Sequence, residues 1–347
     1  MSMYKLSFLL ILAYIVLLGR PLEREYSLEP GWVSDLRGEG AVSTSEPDGV
    51  PFRFSGHFGY FSPQKAVIFH DNILYGTALD RQGFINYSSI NSALVLQSPE
   101  GMVSGRLEVT GYPYFTSGRR FILNSDGTAL SEMNQEGAIL WTFRFSSMIT
   151  DVSASRTSVA VGTLNSGIRM LDTSGTEIFS YKPDFGKINT VYGTALNSDD
   201  SSILVISGLE PQKLLLFSKK SSGYRIVYSR NLENEYRFQR QCGFSSDGSF
   251  AYFDNGSYLS VLNTVRRQIK EFPVGGTLQH AVIPGLHDLV FTSARIGDVI
   301  SFSGFGFNGE RIFNYTSRGR DSFLTRDTSG IYSGAGEYLF KLDMVKR

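Results

Sequence analysis

The feature that most constrains the fold of this chain is a polar turn followed by a short run that reaches an aromatic residue, written again and again at nearly regular spacing. The clearest copies are NQEGAILWTF (134–143), DTSGTEIFSY (172–181) and GFNGERIFNY (306–315), with SPEGMVSGRL, SKKSSGYRIVY, NTVRRQIKEF and SPQKAVIF as weaker ones. Taking the last turn residue as Lys65, Gly101, Gly137, Gly175, Gly223, Arg266 and Gly309, the intervals are 36, 36, 38, 48, 43 and 43 residues. Between these turns lie short apolar or alternating runs such as RRFILN, TSVAVGT, SILVIS, SFAYFD and EYLFKL, each bounded by Gly, Asn, Asp or Ser. That is the pattern of strands at even spacing, and no stretch beyond residue 51 keeps a helical period for three turns.

A period of this length holding four short strands is the period of a propeller blade. In the fifth unit FQRQCGF leads through SSDG into SFAYFD, Asn255-Gly256 turns into SYLSVL, and NTVRR turns into QIKEF, so the strands follow one another as a meander. Asp-Gly and Asn-Gly suit such turns because both tolerate positive φ. The pentapeptide YGTAL occurs at 75–79 and again at 192–196, and is expected to be the first strand of two different blades, with small residues where strands crowd a central channel. After Phe313 the chain offers SFLTR, GIYSG and EYLFKLD and then ends, one strand short of a blade. A strand from 51–70 is expected to supply the missing one and close the ring, which removes exposed edges. The expected fold is all-β: a seven-bladed β-propeller over 51–347, closed by an N-terminal strand and preceded by one N-terminal hydrophobic helix.

The residues ahead of the propeller differ in character. Lys5, an apolar run over 6–18, and Gly19-Arg20-Pro21 have the layout of a secretory signal or short anchor. Thirteen residues give about 20 Å of helix, short of the ~30 Å hydrocarbon core, and Lys5 and Arg20 would extend it by snorkelling. With Leu17 and Leu18 before Gly19 and no A-x-A pattern, an uncleaved signal-anchor over 1–19 is expected, which places the propeller on the extracytoplasmic side. Residues 20–50, rich in acids, Pro, Gly and Ser, read as a flexible acidic tether.

Charge excludes one class of partner. Lys+Arg and Asp+Glu balance at 33 each, so no overall field draws a nucleic-acid backbone. The pairs Arg119-Arg120, Lys219-Lys220 and Arg266-Arg267 are expected at solvated strand ends. Cys242 is the only cysteine; with no intramolecular disulfide open to it and no neighbouring His or Asp, it is expected to be a buried, inert thiol.

The pattern Asn134-x-x-Gly137-x-x-x-Trp141, with Asp172-x-x-Gly175-x-x-x-Phe179 and Gly309-x-x-x-Phe313, resembles the repeat of PQQ-like (quinoprotein-type) β-propellers, whose blade tryptophans dock between neighbouring blades. The resemblance covers about residues 51–347. That family holds quinone-dependent dehydrogenases and also non-catalytic scaffolds, among them envelope lipoproteins that assist outer-membrane protein assembly, so the resemblance implies a fold more firmly than a function. Adjacent cysteines, which many of its dehydrogenases set against the cofactor, have no counterpart in a chain with one Cys.

Motifs that would carry chemistry are weak. Gly304-Phe-Gly306-Phe-Asn-Gly309 is formally GxGxxG, but a β run follows where a dinucleotide site needs a helix. His57, His70, His280 and His287 form no zinc signature. The turns NSDDSS and SSDGS lack the spaced carboxylates of a calcium loop, and no G-x-S-x-G elbow is present. The aromatic clusters Tyr112, Tyr114, Phe115 and Phe302, Phe305, Phe307 are expected in the cores between blades. No catalytic, cofactor-binding or metal residue is singled out and no cofactor is expected. The function expected is a non-catalytic platform in the cell envelope that binds a protein or peptide. The alternative is an enzyme or small-ligand binder using the central funnel. Convergent polar residues at the channel mouth would favour the second reading, an exposed apolar face the first.

Overall fold

Each turn of the repeat closes the outer hairpin of a separate antiparallel sheet. The computed structural model describes residues 26–38, 49–64, 66–89, 93–107, 109–165, 167–284, 289–327 and 330–346. Among these residues the chain forms eight sheets, seven of four strands and one of three. Blades 1 to 7 span residues 50–72, 76–107, 112–144, 149–181, 188–231, 242–273 and 277–318, and blade 8 spans 322–346 with 26–35 as its outermost strand. The first strand of a blade touches the first strand of the next at blades 2 and 3, 4 and 5, 5 and 6, and 7 and 8. These inner strands therefore ring a central axis.

The molecule is an eight-bladed propeller, not the seven-bladed one expected. The turns were located correctly; their sum was not. Seven turns mark seven blades, and the eighth blade has no such turn because its outer hairpin is cut open by the two chain ends. Residues 51–70, expected to lend a strand to the last blade, instead belong to blade 1, as Val50–Phe54, His57–Ser62 and Ala66–Asn72. The closing strand is Tyr26–Asp35, inside the segment read as tether. It pairs antiparallel with Tyr338–Lys346 from Tyr26↔Lys346 to Asp35↔Tyr338, with a bulge between Pro30 and Trp32. Closure by an N-terminal strand is thus present, one blade further on and from an earlier segment.

Pro30 and Gly31 hide this strand in the sequence, and both are tolerated because it is the outermost of its sheet, where one side needs no ladder bonds. Trp32 anchors it: the indole Nε1 donates to the Pro63 carbonyl at 3.2 Å, and the ring packs on Phe61 of blade 1 and Tyr332 of blade 8. The hydrophobic helix expected over 1–19, and residues 20–25 and 39–48 of the tether, lie outside the described residues. Among those described there is no helix, and none long and apolar enough to cross a membrane.

Burial follows position within the blade. Second strands are covered on both faces, and Ser158–Thr163 is buried throughout, whereas the outer strand Ile139–Arg144 is mostly exposed. The cores lie between blades. Met170 of blade 4 meets Val191 and Val205 of blade 5, Leu216 of blade 5 meets Phe253 of blade 6, and Leu339 of blade 8 meets Phe52 and Phe61 of blade 1.

The repeat itself has a packing reason. At four of the seven turns the residue four places on docks on the turn of the following blade. Trp141 lies against Gly175, whose φ is +79°, and a Cβ there would come within 2.7 Å of the indole. Phe179 stacks 5.1 Å from Tyr224, Lys270 donates its ammonium to the Phe307 carbonyl, and a Cβ on Gly105 would meet the Glu136 carbonyl at 2.4 Å. Trp, Phe, Lys and Gly fill one structural position, so the motif is degenerate in letters while its geometry is kept.

Candidate functional site: the axial channel and the connection face

First strands place polar side chains around the axis, Tyr114 on blade 3, Asp151 on blade 4 and Gln279 and His280 on blade 7 among them. On blade 4, Asp151 accepts hydrogen bonds from the Thr194 backbone N–H of blade 5 at 2.6 Å, from the Gln239 Nε2 at 2.8 Å and from the Val152 N–H at 3.0 Å. Burial outweighs these bonds and pushes its carboxyl up to about 6. The Tyr114 hydroxyl of blade 3 donates to the Val152 carbonyl at 3.2 Å. The second YGTAL copy reaches the same region: a Cβ on Gly193 would lie 2.6 Å from the Cys242 sulfur, so only glycine fits there.

The channel opens into a cavity of about 440 Å³ lined mainly from blades 7, 8 and 1, with Leu79 of blade 2 and Gln241 ahead of blade 6. Arg53 reaches its edge from blade 1, its Nη1 donating to the Thr77 carbonyl at 3.1 Å. Asp321 stands at the start of blade 8 and accepts from the Ser55 backbone N–H at 2.5 Å. His280 of blade 7 uses Nε2 on the Ser322 carbonyl at 2.7 Å, which fixes the proton there and leaves Nδ1 as an acceptor. Burial lowers its pKa, so the ring is neutral at pH 7. Gln279 is held at both ends, donating to the Arg320 carbonyl at 3.0 Å and accepting from the Ser322 hydroxyl at 2.7 Å.

In a four-stranded meander the blade-to-blade connections and the turns between second and third strands share one face, here called the connection face. The channel mouth opens on it. Counting connections, turns and the end residues of strands, nine of the exposed large apolar side chains of the described residues lie on this face, against four on the opposite one. Leu74 and Tyr75 (65% and 58% exposed) precede blade 2, and Met148 and Leu164 flank the start and middle of blade 4. Phe238 lies in the connection ahead of blade 6 and Tyr258 on blade 6, with Ile188, Ile296 and Tyr338 on blades 5, 7 and 8. Met102, Val103, Ile139 and Val265 are the opposite four.

The sequence motifs fall in structural places. Gly304 and Gly306 end the third strand of blade 7, and Gly309 turns into Arg311–Arg318, a strand, so this GxGxxG is a blade turn. His57 and His70, distant from any zinc spacing, come together with ring centroids 6.4 Å apart, and His57 Nε2 lies 3.0 Å from Glu337. His287 lies outside the described residues. No group of three or more His, Cys, Asp or Glu is placed to hold a metal among the described residues. Burial, and after it the charge of the Asp151 carboxylate, raises the Cys242 thiol well above its ordinary value, with its sulfur 3.6 Å from the Arg240 carbonyl.

Two expectations need correction. Arg119 and Arg120 are buried, not solvated: Arg119 forks onto Glu132 at 2.6 Å, and Arg120 onto Asp80 of the preceding blade at 2.7 and 2.8 Å. Opposite charge is what lets guanidinium groups enter the interior. Of the aromatic clusters, Phe302 and Phe305 are core, but Tyr114 is 42% exposed and faces the channel. Arg53, Asp151, His280 and Asp321 escaped the sequence reading because each is isolated, one per blade. Aligning the blades on their first strands would have set Tyr114, Asp151 and His280 in nearly one column.

A closed ring of eight blades, seven of four described strands and one of three, with a polar axis and an apolar connection face defines the class. A family profile described as beta-propeller protein matches residues 1–346, and the chain belongs to that family. An uncharacterized protein of Treponema pallidum (strain Nichols) is 22% identical over 355 residues, covering 99% of this chain and 94% of that one. Among solved structures, BamB from Moraxella catarrhalis is similar with a TM-score of 0.64 at 12% identity, covering 91% of this chain and 100% of that one. The computationally designed Ika8 protein reaches 0.63 at 11% identity, covering 92% and 98%. A chain of the Mitotic Checkpoint Complex reaches 0.57 at 12%, covering 93% and 94%. At these identities the likeness is one of fold.

Proposed function

We propose that the protein is a non-catalytic platform whose connection face binds a protein or peptide. The observation that carries this reading is the uneven distribution of exposed apolar side chains at turns, connections and strand ends, nine on that face against four on the other. Clustered exposed apolar groups mark interaction surfaces, because leaving them in water has a cost that a partner removes. The fold likeness to a chain of the Mitotic Checkpoint Complex, by its name an assembly of proteins, agrees with that use. The docking of Trp141 between blades 3 and 4 supports membership of the PQQ-like type. The apolar run 6–18 supports a place at the extracytoplasmic face of a membrane, with the partner in the cell envelope.

The test places a photocrosslinking residue at Tyr75, Phe238 or Tyr258, and at Met102 or Val265 as controls, in cells expressing the full chain. One discrete adduct from the connection-face sites and none from the controls is expected. Adducts from neither set, or equally from both, would remove the basis for the platform.

A further inference from the structure

We infer that the mouth of the axial channel binds a small zwitterion with an apolar side chain, either a free amino acid or a short peptide with unblocked ends. This goes beyond the platform reading and does not rest on it. The cavity of about 440 Å³ is within the size range of small-ligand sites. Its edge carries one cation and one anion. Arg53 spends only Nη1 on the protein, on the Thr77 carbonyl, so its Nε and Nη2 are open to a carboxylate. Asp321 is pinned through Oδ1 by the N–H of Ser55, in the turn that follows the strand of Arg53, which leaves Oδ2 to accept. His280, also lining the cavity, has its proton committed to the Ser322 carbonyl and keeps Nδ1 as an acceptor.

The pairing of charges decides the ligand class. A simple anion drawn by Arg53 is repelled by Asp321, and a simple cation drawn by Asp321 is repelled by Arg53, whereas a ligand carrying both signs gains twice. Gln279 is locked at both amide ends and holds the wall in place. Half-buried Pro51, Leu79 and Phe323 supply apolar surface beside the charges, backed by buried Phe52 and Leu278. An ammonium or carboxylate alone has no use for that surface; an amino acid with an apolar side chain covers it.

The experiment is calorimetric titration of the full chain with L-phenylalanine, glycyl-L-phenylalanine, N-acetyl-L-phenylalanine and L-phenylalaninamide. At least one of the first two is expected to bind at about 1 mM or better, with each blocked derivative at least about ten-fold weaker. Arg53→Gln should abolish the preference for a free carboxylate, and Asp321→Asn the preference for a free ammonium. Both side chains are exposed, so the variants should keep the wild-type circular dichroism. Tighter binding of phenylalanine than of the dipeptide assigns the site to free amino acids, the reverse order to peptide ends. The inference is overturned if no compound binds, if the blocked derivatives bind as well as the zwitterions, or if the variants discriminate as the wild type does. The crosslinking pattern reads the apolar face separately, so either proposal can fail without the other.

Discussion

Asp151 has three N–H groups pointing at it, yet its carboxyl titrates near 6 because the channel wall keeps water away from the charge. The direction of the shift sets the sign of its effect on stability. An acid whose folded pKa lies above its unfolded value of 3.8 favours the fold while protonated, and that advantage is lost as pH rises through 6. Asp151→Asn should therefore stabilise the protein at pH 8, by up to about 3 kcal/mol since each pKa unit is worth about 1.4 kcal/mol. Asn keeps an acceptor for the Thr194 N–H, and Gln239 can turn its amide to meet the new NH2. Urea unfolding at pH 8 and pH 4 checks this: the gap between variant and wild type should close toward pH 4. A gap of equal size at both would mean that burial of the charge is not what the residue contributes.

At the scale of elements, the closing strand Tyr26–Asp35 is held by its ladder to Tyr338–Lys346 and by Trp32, which bridges blades 8 and 1. Trp32→Ala should cost about 3 kcal/mol, the range for removing a large packed ring, and Trp32→Phe clearly less. Chemical unfolding midpoints of both variants give the comparison; if alanine costs no more than phenylalanine, the indole does not fasten the ring. This strand also shows where the sequence stops being readable. Turns with Gly, Asn and Asp announce themselves through φ alone, so seven outer hairpins could be placed from letters. Pro30 and Gly31 carry no such signal, because an edge strand tolerates what an inner one does not. The channel residues were illegible for a different reason: Arg53, Asp151, His280 and Asp321 meet only once the ring closes. Arg119 and Arg120 show the same blindness, since Asp80 and Glu132 mark them as interior only in three dimensions.

For the whole molecule, ring closure is the event on which both proposed surfaces depend, since blades 8 and 1 together form the channel mouth. The closing strand joins two ends of the chain far apart in sequence, and such contacts slow folding because loop closure precedes their reward. The register offers a direct test. Tyr26 lies opposite Lys346, so a short turn such as Asn-Gly can connect Lys346 to Tyr26 and make the eighth outer hairpin local. A permuted chain that starts at Gly49, runs to Lys346 and continues through this turn into residues 26–38 keeps every described pairing. It should fold to the same far-ultraviolet spectrum, remain monomeric, melt within a few degrees of the native order and refold faster. The same chain ending at Lys346 leaves Tyr338–Lys346 as an open edge and should associate or aggregate. If the truncated chain stays monomeric with an unchanged melting temperature, or the permuted one fails to fold, the ring is not closed by this strand.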